Sequence, residues 1–171
     1  MANLQQLDAY FAEHRAQHLQ EVQDFLRIPS ISSLSEHKAD MTTAANFLAK
    51  ALTAIHMDNV AVLPTKGHPV VYGEWLHAKD KPTVLFYGHY DVQPVDPLHL
   101  WDSAPFEPTI RDNKLFARGA SDDKGQVYMH LKTIEALFAI DGELPVKIKF
   151  LIEGEDEIGS PSLKAFIEEN K

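Results

Sequence analysis

His89 and Asp91 stand two residues apart in "GHYDVQP", directly after the apolar run "TVLFY". An imidazole and a carboxylate at the point where a buried strand runs out call for a structural or chemical reason. Two more acidic loops follow: "RGASDDKG" with Asp122 and Asp123, and "EGEDEIGS" with Glu153, Glu155, Asp156 and Glu157. One imidazole with several carboxylates is the donor set of a divalent-cation site, zinc above all. Gathering that many carboxylates costs free energy through like-charge repulsion unless a cation offsets it or some of them take up protons. Asp91 is then the natural group to hydrogen-bond His89, fixing its tautomer and raising its basicity as a ligand. Each loop alone has a plainer reading. An aspartate at a helix start usually caps the helix, "EGEDE" is usually a solvated turn, and a single histidine is usually structural.

The elements that must position these groups are legible from periodicity. Leu4, Leu7, Phe11, Val22, Phe25 and Leu26 recur at roughly helical spacing until Pro29 ends the pattern, which predicts a first helix over 4–27. A second helix is expected from a cap at Asp40 to Ile55. Strands are expected at Val60 to Leu63, Val70 to Leu76 and Thr83 to Tyr87, the last apolar on both faces and so read as a central strand. "TIRDNKLFA" reads as a hairpin turning at Asp112 and Asn113, and "RGASDDKG" opens a third helix bearing Val127, Leu131, Ile134, Leu137 and Phe138. "VKIKFLI" is a further strand, and Pro161 starts a last helix. Strands alternating with helices predict an α/β fold, a sheet covered by helices on both faces. In such sheets ligands bind beyond the carboxyl ends of the strands, where two of the three acidic loops fall.

Composition narrows the classes. The chain has 171 residues, enough for one domain with a real core, and no cysteine, which excludes disulfides and thiolate ligands. A net charge of −9 without a basic cluster argues against nucleic acid and against an anionic membrane surface. No stretch reaches the roughly 20 apolar residues of a membrane span, and no secretory signal is visible at the start, so a cytoplasmic protein is expected. "HRAQH" sets His14 and His18 one helical turn apart, but it lacks the glutamate of an HExxH site and reads as a polar helix face.

Taken in order, "GHYDVQP", "RGASDDKG" and "EGEDEIGS" resemble the signature of the co-catalytic zinc peptidases that include carnosine dipeptidases, carboxypeptidase G, acetylornithine deacetylase and succinyl-diaminopimelate desuccinylase. "WDSAPFEPTIRDNKLFARGASDDKG" looks most like the dipeptidase branch. The resemblance implies a three-layer catalytic domain and hydrolysis of dipeptides or N-acyl amino acids by a water activated between two zinc ions. It implies that His89 binds one zinc, Asp122 bridges both and Glu157 binds the second. Asp91 would support His89, and a cis peptide would join Asp122 to Asp123. The general base, usually a glutamate, would be Asp156, one methylene shorter. Members of the family are more than twice as long and supply, after the "EGEDEIGS" segment, a further acidic ligand, a lid and dimerisation domain and a late histidine. Residues 1–171 are therefore expected to be the N-terminal part of such a catalytic domain, truncated, holding one zinc or none. A homo-oligomer or a complementing chain would complete the site. The alternative is an inactive remnant serving as a small interaction module.

Overall fold

The computed structural model describes residues 2–170. Helix α1, Leu4–Leu26, opens on a reciprocal cap in which the Asn3 side chain accepts from Gln6 N and the Gln6 side chain accepts from Asn3 N. Its carboxyl end is closed by Lys124, a fully buried lysine whose Nζ donates to Phe25 O at 3.1 Å and Ile28 O at 2.6 Å. Helix α2, Lys38–Ala54, buries Met41, Ala44, Ala45, Leu48 and Leu52 on one stripe. It begins before the expected Asp40, because a 3-10 turn at Ser35–His37 feeds directly into it. Asp40 sits in the first turn and binds His37 Nδ1 at 2.7 Å instead of capping.

Four strands form the main sheet: β1 (Asp58–Leu63), β2 (Val70–Trp75), β3 (Thr83–His89) and β6 (Lys147–Glu153), in the order β1-β2-β6-β3. Between them in sequence lie the small pair β4 (Thr109–Arg111) and β5 (Lys114–Phe116) and helix α3 (Lys124–Asp141); a short α4 (Leu163–Glu169) follows β6. Asp112 and Asn113 both take positive φ, 49° and 58°, as a tight two-residue hairpin turn demands. The α/β class expected from the sequence is the one observed.

Alternation along the strands sends Val71 and Trp75 of β2, and Ile148, Phe150 and Ile152 of β6, into one core with the α2 stripe and with Val127, Leu131 and Ile134 of α3. Gly73 lets Leu52 approach to where a Cβ would be only 3.3 Å away. Helix α1 packs outside α3, tied to it by Tyr128 and Lys132 on Glu21 and by His18 on Glu135. The opposite face of the sheet carries Tyr72, Glu74 and Lys149, which interact with one another, and Leu85 and Tyr87.

"TVLFY" is not a central strand. Among the described residues β3 ends the sheet, with β6 alone beside it, and Val84, Leu85 and Tyr87 are 38%, 58% and 49% exposed. An apolar run announces a strand with two apolar faces, but it does not say whether another strand lies alongside. What positions the acidic loops is the β3–α3–β6 crossover. Strands β3 and β6 run parallel, with His89 level with Glu153, so their carboxyl ends open at one place, and α3 starts there too.

Candidate metal centre

His89 is the last residue of β3 and only 6% exposed. Its Nε2 lies 3.0 Å from Asp122 Oδ1 and 3.7 Å from Asp156 Oδ2. One donor atom each from His89, Asp122 and Glu157 lies within 4.8 Å of the others, making the metal-competent group found among the described residues. These three were the ligands the resemblance implied. Asp122 is open to solvent, its side chain 73% exposed, and its bond to Asp123 is cis, as the resemblance also implied. A neutral imidazole and two carboxylates fit a zinc-like cation in type and number, with coordination positions left over for water or substrate.

The ring of His89 is held from behind. Nδ1 faces Asp91 O at 3.1 Å and Asp91 Oδ1 at 3.2 Å, so Nδ1 carries a proton and Nε2 is the ring nitrogen turned toward Asp122. Burial opposes protonation of the ring, but the hydrogen bond and charge of Asp91, with Asp156 and Asp123 adding, outweigh it and push His89 up to about 9. Without a cation, an imidazolium is the positive charge this acidic pocket favours.

Asp91 does more than orient the histidine. It is fully buried and accepts four hydrogen bonds: from His89 Nδ1 and Asp156 N (3.2 Å) on Oδ1, and from Ser32 Oγ (2.6 Å) and Glu157 N (3.0 Å) on Oδ2. Burial alone would raise its carboxyl; these donors outweigh that and hold it below the usual carboxylate range. One carboxylate thus positions both the histidine and the backbone of the "EDE" loop. Ser32 reaches it because segment 30–32 runs beside 90–92, with Val92 N donating to Ser30 O at 2.9 Å and a parallel bridge from Ile31 to Val92.

The remaining acidic residues divide by task. Asp123 does not cap α3; its Oδ2 accepts from His89 N at 3.1 Å. Glu153 and Glu155 are 2% and 4% exposed, so "EGEDE" is no solvated turn. Glu153 accepts from Tyr87 Oη at 2.5 Å and Ser160 Oγ at 2.7 Å, while Glu155 accepts from His68 N and Ser162 N, both at 3.0 Å. Glu155 therefore faces away from His89, and Asp156, its side chain 42% exposed, faces toward it. Gln93 Nε2 donates to Glu157 Oε2 at 2.6 Å, a contact whose signal in the sequence was the period of two from His89 through Asp91 to Gln93. Ser32 left no such signal. His14 and His18 stack at 5.8 Å; His14 binds Tyr10 O within α1 and His18 binds Glu135 of α3, both outside the metal-competent group. No described helix is long and apolar enough to cross a membrane.

Comparison with known proteins places the chain in a family. Residues 85–171, which carry all three acidic loops, match the model of peptidase family M20/M25/M40. The human Beta-Ala-His dipeptidase is 44% identical over 103 residues, 60% of this chain and 20% of that protein. The Cys-Gly metallodipeptidase of Candida albicans is 33% identical over 178 aligned positions, covering 96% of this chain and 37% of its own. Among solved structures, human carnosine dipeptidase 1 superposes with a TM-score of 0.91 at 31% identity, covering 99% of this chain and 38% of that one. An M20 family metallo-carboxypeptidase from Sulfolobus solfataricus gives 0.82 at 42%, covering 90% and 34%. The chain spans well under half the length of each relative. It belongs to peptidase family M20/M25/M40.

Proposed function

We propose that this chain carries part of the site of a zinc-dependent dipeptidase, hydrolysing the amide bond of dipeptides or related N-acyl amino acids. The observation that carries the reading is the convergence of His89, Asp122 and Glu157 within 4.8 Å, with Asp156 beside them. The dipeptidase names of its relatives supply the substrate class. His89 Nε2 and the Asp122 and Glu157 carboxylates are the groups that would hold the metal. A bound divalent cation supplies Lewis acidity there, polarising the scissile carbonyl and acidifying water.

The chain's own residues do the rest. Asp91 keeps the His89 proton on Nδ1 and so keeps Nε2 free to ligate. Asp156 is the carboxylate placed to take the proton from the attacking water and hand it to the leaving amine. Its side chain is one methylene shorter than a glutamate. A shortfall of about 1 Å at this step costs on the order of 100-fold in rate, so turnover is expected to be slow. Residues 1–171 read as the N-terminal part of the catalytic domain, supported by the 34–38% of each matched structure that they span; a homo-oligomer or a complementing chain would bring further ligands. A second reading, an interaction module without hydrolysis, is favoured by the exposed Val84, Leu85 and Tyr87 of β3.

The test is zinc content per chain after dialysis, together with release of free amino acids from dipeptides. His89→Ala and Asp122→Ala each abolish zinc uptake, and Asp156→Ala retains zinc but loses turnover. Equal zinc in all three variants and the parent would remove the assignment.

A further inference from the structure

Strand β3 leaves half of its backbone groups without a strand to pair with. Tyr90 N donates to Glu153 O at 2.9 Å and Pro82 O accepts from Lys147 N at 3.0 Å, so the even-numbered residues of β3 turn N–H and C=O toward β6. The odd-numbered ones turn theirs the other way, where no strand lies among the described residues. His89 is one of these, and its N–H is already held by Asp123 Oδ2. Thr83, Leu85 and Tyr87 remain, three exposed residues offering three N–H and three C=O groups in a regular row. The opposite edge of the sheet is blunted: β1 slips register between Asp58 and Ala61, with Asn59 at φ 50°. In "TVLFY" there is no bulge, charge or proline to do the same.

We propose that this edge is an interface for a second copy of the chain, the two β3 strands pairing antiparallel about a two-fold axis at Leu85. The free groups themselves set that register. Leu85 faces the second copy's Leu85 and Thr83 faces its Tyr87, so every outward N–H and C=O of the three residues finds a partner. An axis at Phe86 would set Thr83 against the second copy's His89, whose N–H is spent on Asp123. Charge agrees with the antiparallel sense, which brings unlike ends together. At the amino end Lys79, Lys81 and Lys147 have no ion pair among the described residues and outnumber Asp80. At the carboxyl end stand Asp122, Asp123 and Asp156 around His89. With the axis at Leu85, Lys81 comes level with the second copy's His89, at that acidic end. The proposal rests on the interaction reading of β3 and is independent of hydrolysis, since the second copy brings a lysine and not a further metal ligand.

The test uses the full chain. Sedimentation equilibrium over a series reaching about 1 mM, the weak end of measurable association, gives the mass of two chains for the parent. Leu85→Lys, at an exposed position, sets like charges against each other at the axis and weakens association about tenfold or more, and Lys81→Glu weakens it several-fold. Because the chain has no cysteine, single substitutions read the register. Under mild oxidation Leu85→Cys cross-links to its own copy, whereas Thr83→Cys does not, because its two copies lie about 14 Å apart along the strands. A monomeric parent overturns the proposal and leaves the edge to a strand of a different polypeptide. Association undiminished by Leu85→Lys, or equal cross-linking at the two positions, overturns it as well. Zinc uptake by the Leu85→Lys chain tests the metal centre separately: failed uptake beside a confirmed dimer removes the hydrolytic reading and keeps the interface, and normal uptake beside a monomeric parent does the reverse.

Discussion

Asp91→Asn tests whether one buried carboxylate organises the centre. The substitution preserves volume but replaces one acceptor oxygen with a donor. Oδ1 faces His89 Nδ1 and Asp156 N, and Oδ2 faces Ser32 Oγ and Glu157 N. If the amide nitrogen takes the Oδ2 place, the Ser32 hydroxyl can turn to accept from it, but Glu157 N–H is left facing a donor. If it takes the Oδ1 place, His89 can change tautomer and Asp156 N–H is the orphan. Either way one backbone donor loses its partner and the others lose a charged acceptor. With hydrogen bonds to charged groups contributing roughly 1.5–3 kcal/mol each and an orphaned buried donor costing about 1–3, the net loss is about 3–4 kcal/mol. At a urea m-value near 2 kcal/mol/M, that moves the unfolding midpoint down by about 1.5–2 M. Misplacing His89 and the loop also weakens zinc binding by about 10- to 100-fold. Ser32→Ala removes a single donor, costs about 1.5 kcal/mol, and is not additive with Asp91→Asn because both act on the same oxygen. Urea unfolding of the chelator-treated protein and zinc titration read both effects. A midpoint shift below about 0.5 M with unchanged zinc affinity would refute the argument, since four lost or weakened bonds cannot be that cheap.

Two further outcomes follow from features outside the metal group. Glu21 accepts from Lys132 Nζ and Tyr128 Oη; burial raises its carboxyl, but these donors outweigh that and lower it from 4.5 to about 2. Its folded value lies below its unfolded one, so its contribution is complete above pH 4.5 and is lost as pH falls toward 2. With the side chain 34% exposed, screening reduces the ideal linkage value to about 1.5 kcal/mol. Glu21→Gln should flatten the acid limb of a stability-versus-pH curve by that amount, and an unchanged limb would show that the α1–α3 pair contributes nothing. Gly88→Ala would place a Cβ 2.6 Å from Asp123 Oδ2 and 2.7 Å from Val127 Cγ2. Asp123 cannot swing aside without releasing His89 N–H, so α3 must shift, at about 1–3 kcal/mol; thermal unfolding checks this, and an unaltered midpoint would mean the approach is looser than it stands.

Local signals carried most of the fold. The Asp112–Asn113 turn was legible because two adjacent residues tolerant of positive φ between apolar runs have few other uses. The α2 stripe was legible from its period, though its start was not, because the 3-10 turn ahead of it leaves no periodic mark. Strand neighbours were the least legible, since pairing joins residues far apart in the chain, and "TVLFY" reads the same whether or not a further strand flanks it. The site divides in the same way. His89, Asp122, Asp156 and Glu157 were visible as residue types beside strand and helix ends. Ser32 was not, because it lies 59 residues from Asp91 and meets it through a backbone crossing that no local pattern encodes.

The position of Asp156 follows from those same long-range contacts. Its own N–H is bound to Asp91, and Ile158 N and Ser160 N both donate to Glu155 O, at 3.1 and 2.8 Å. The Glu155 carboxylate is clamped between His68 N and Ser162 N. The loop is pinned on both sides of Asp156 by buried acceptors, so its backbone cannot slide inward to make up for a shorter side chain without breaking hydrogen bonds to a buried carboxylate, at roughly 1.5–3 kcal/mol each. The reach of the Asp156 carboxylate is therefore set by its side-chain length. The backbone that carries it is set by Asp91, and the same residue holds His89. In this chain the placement of His89 and the placement of Asp156 are one structural decision, made by a single buried carboxylate.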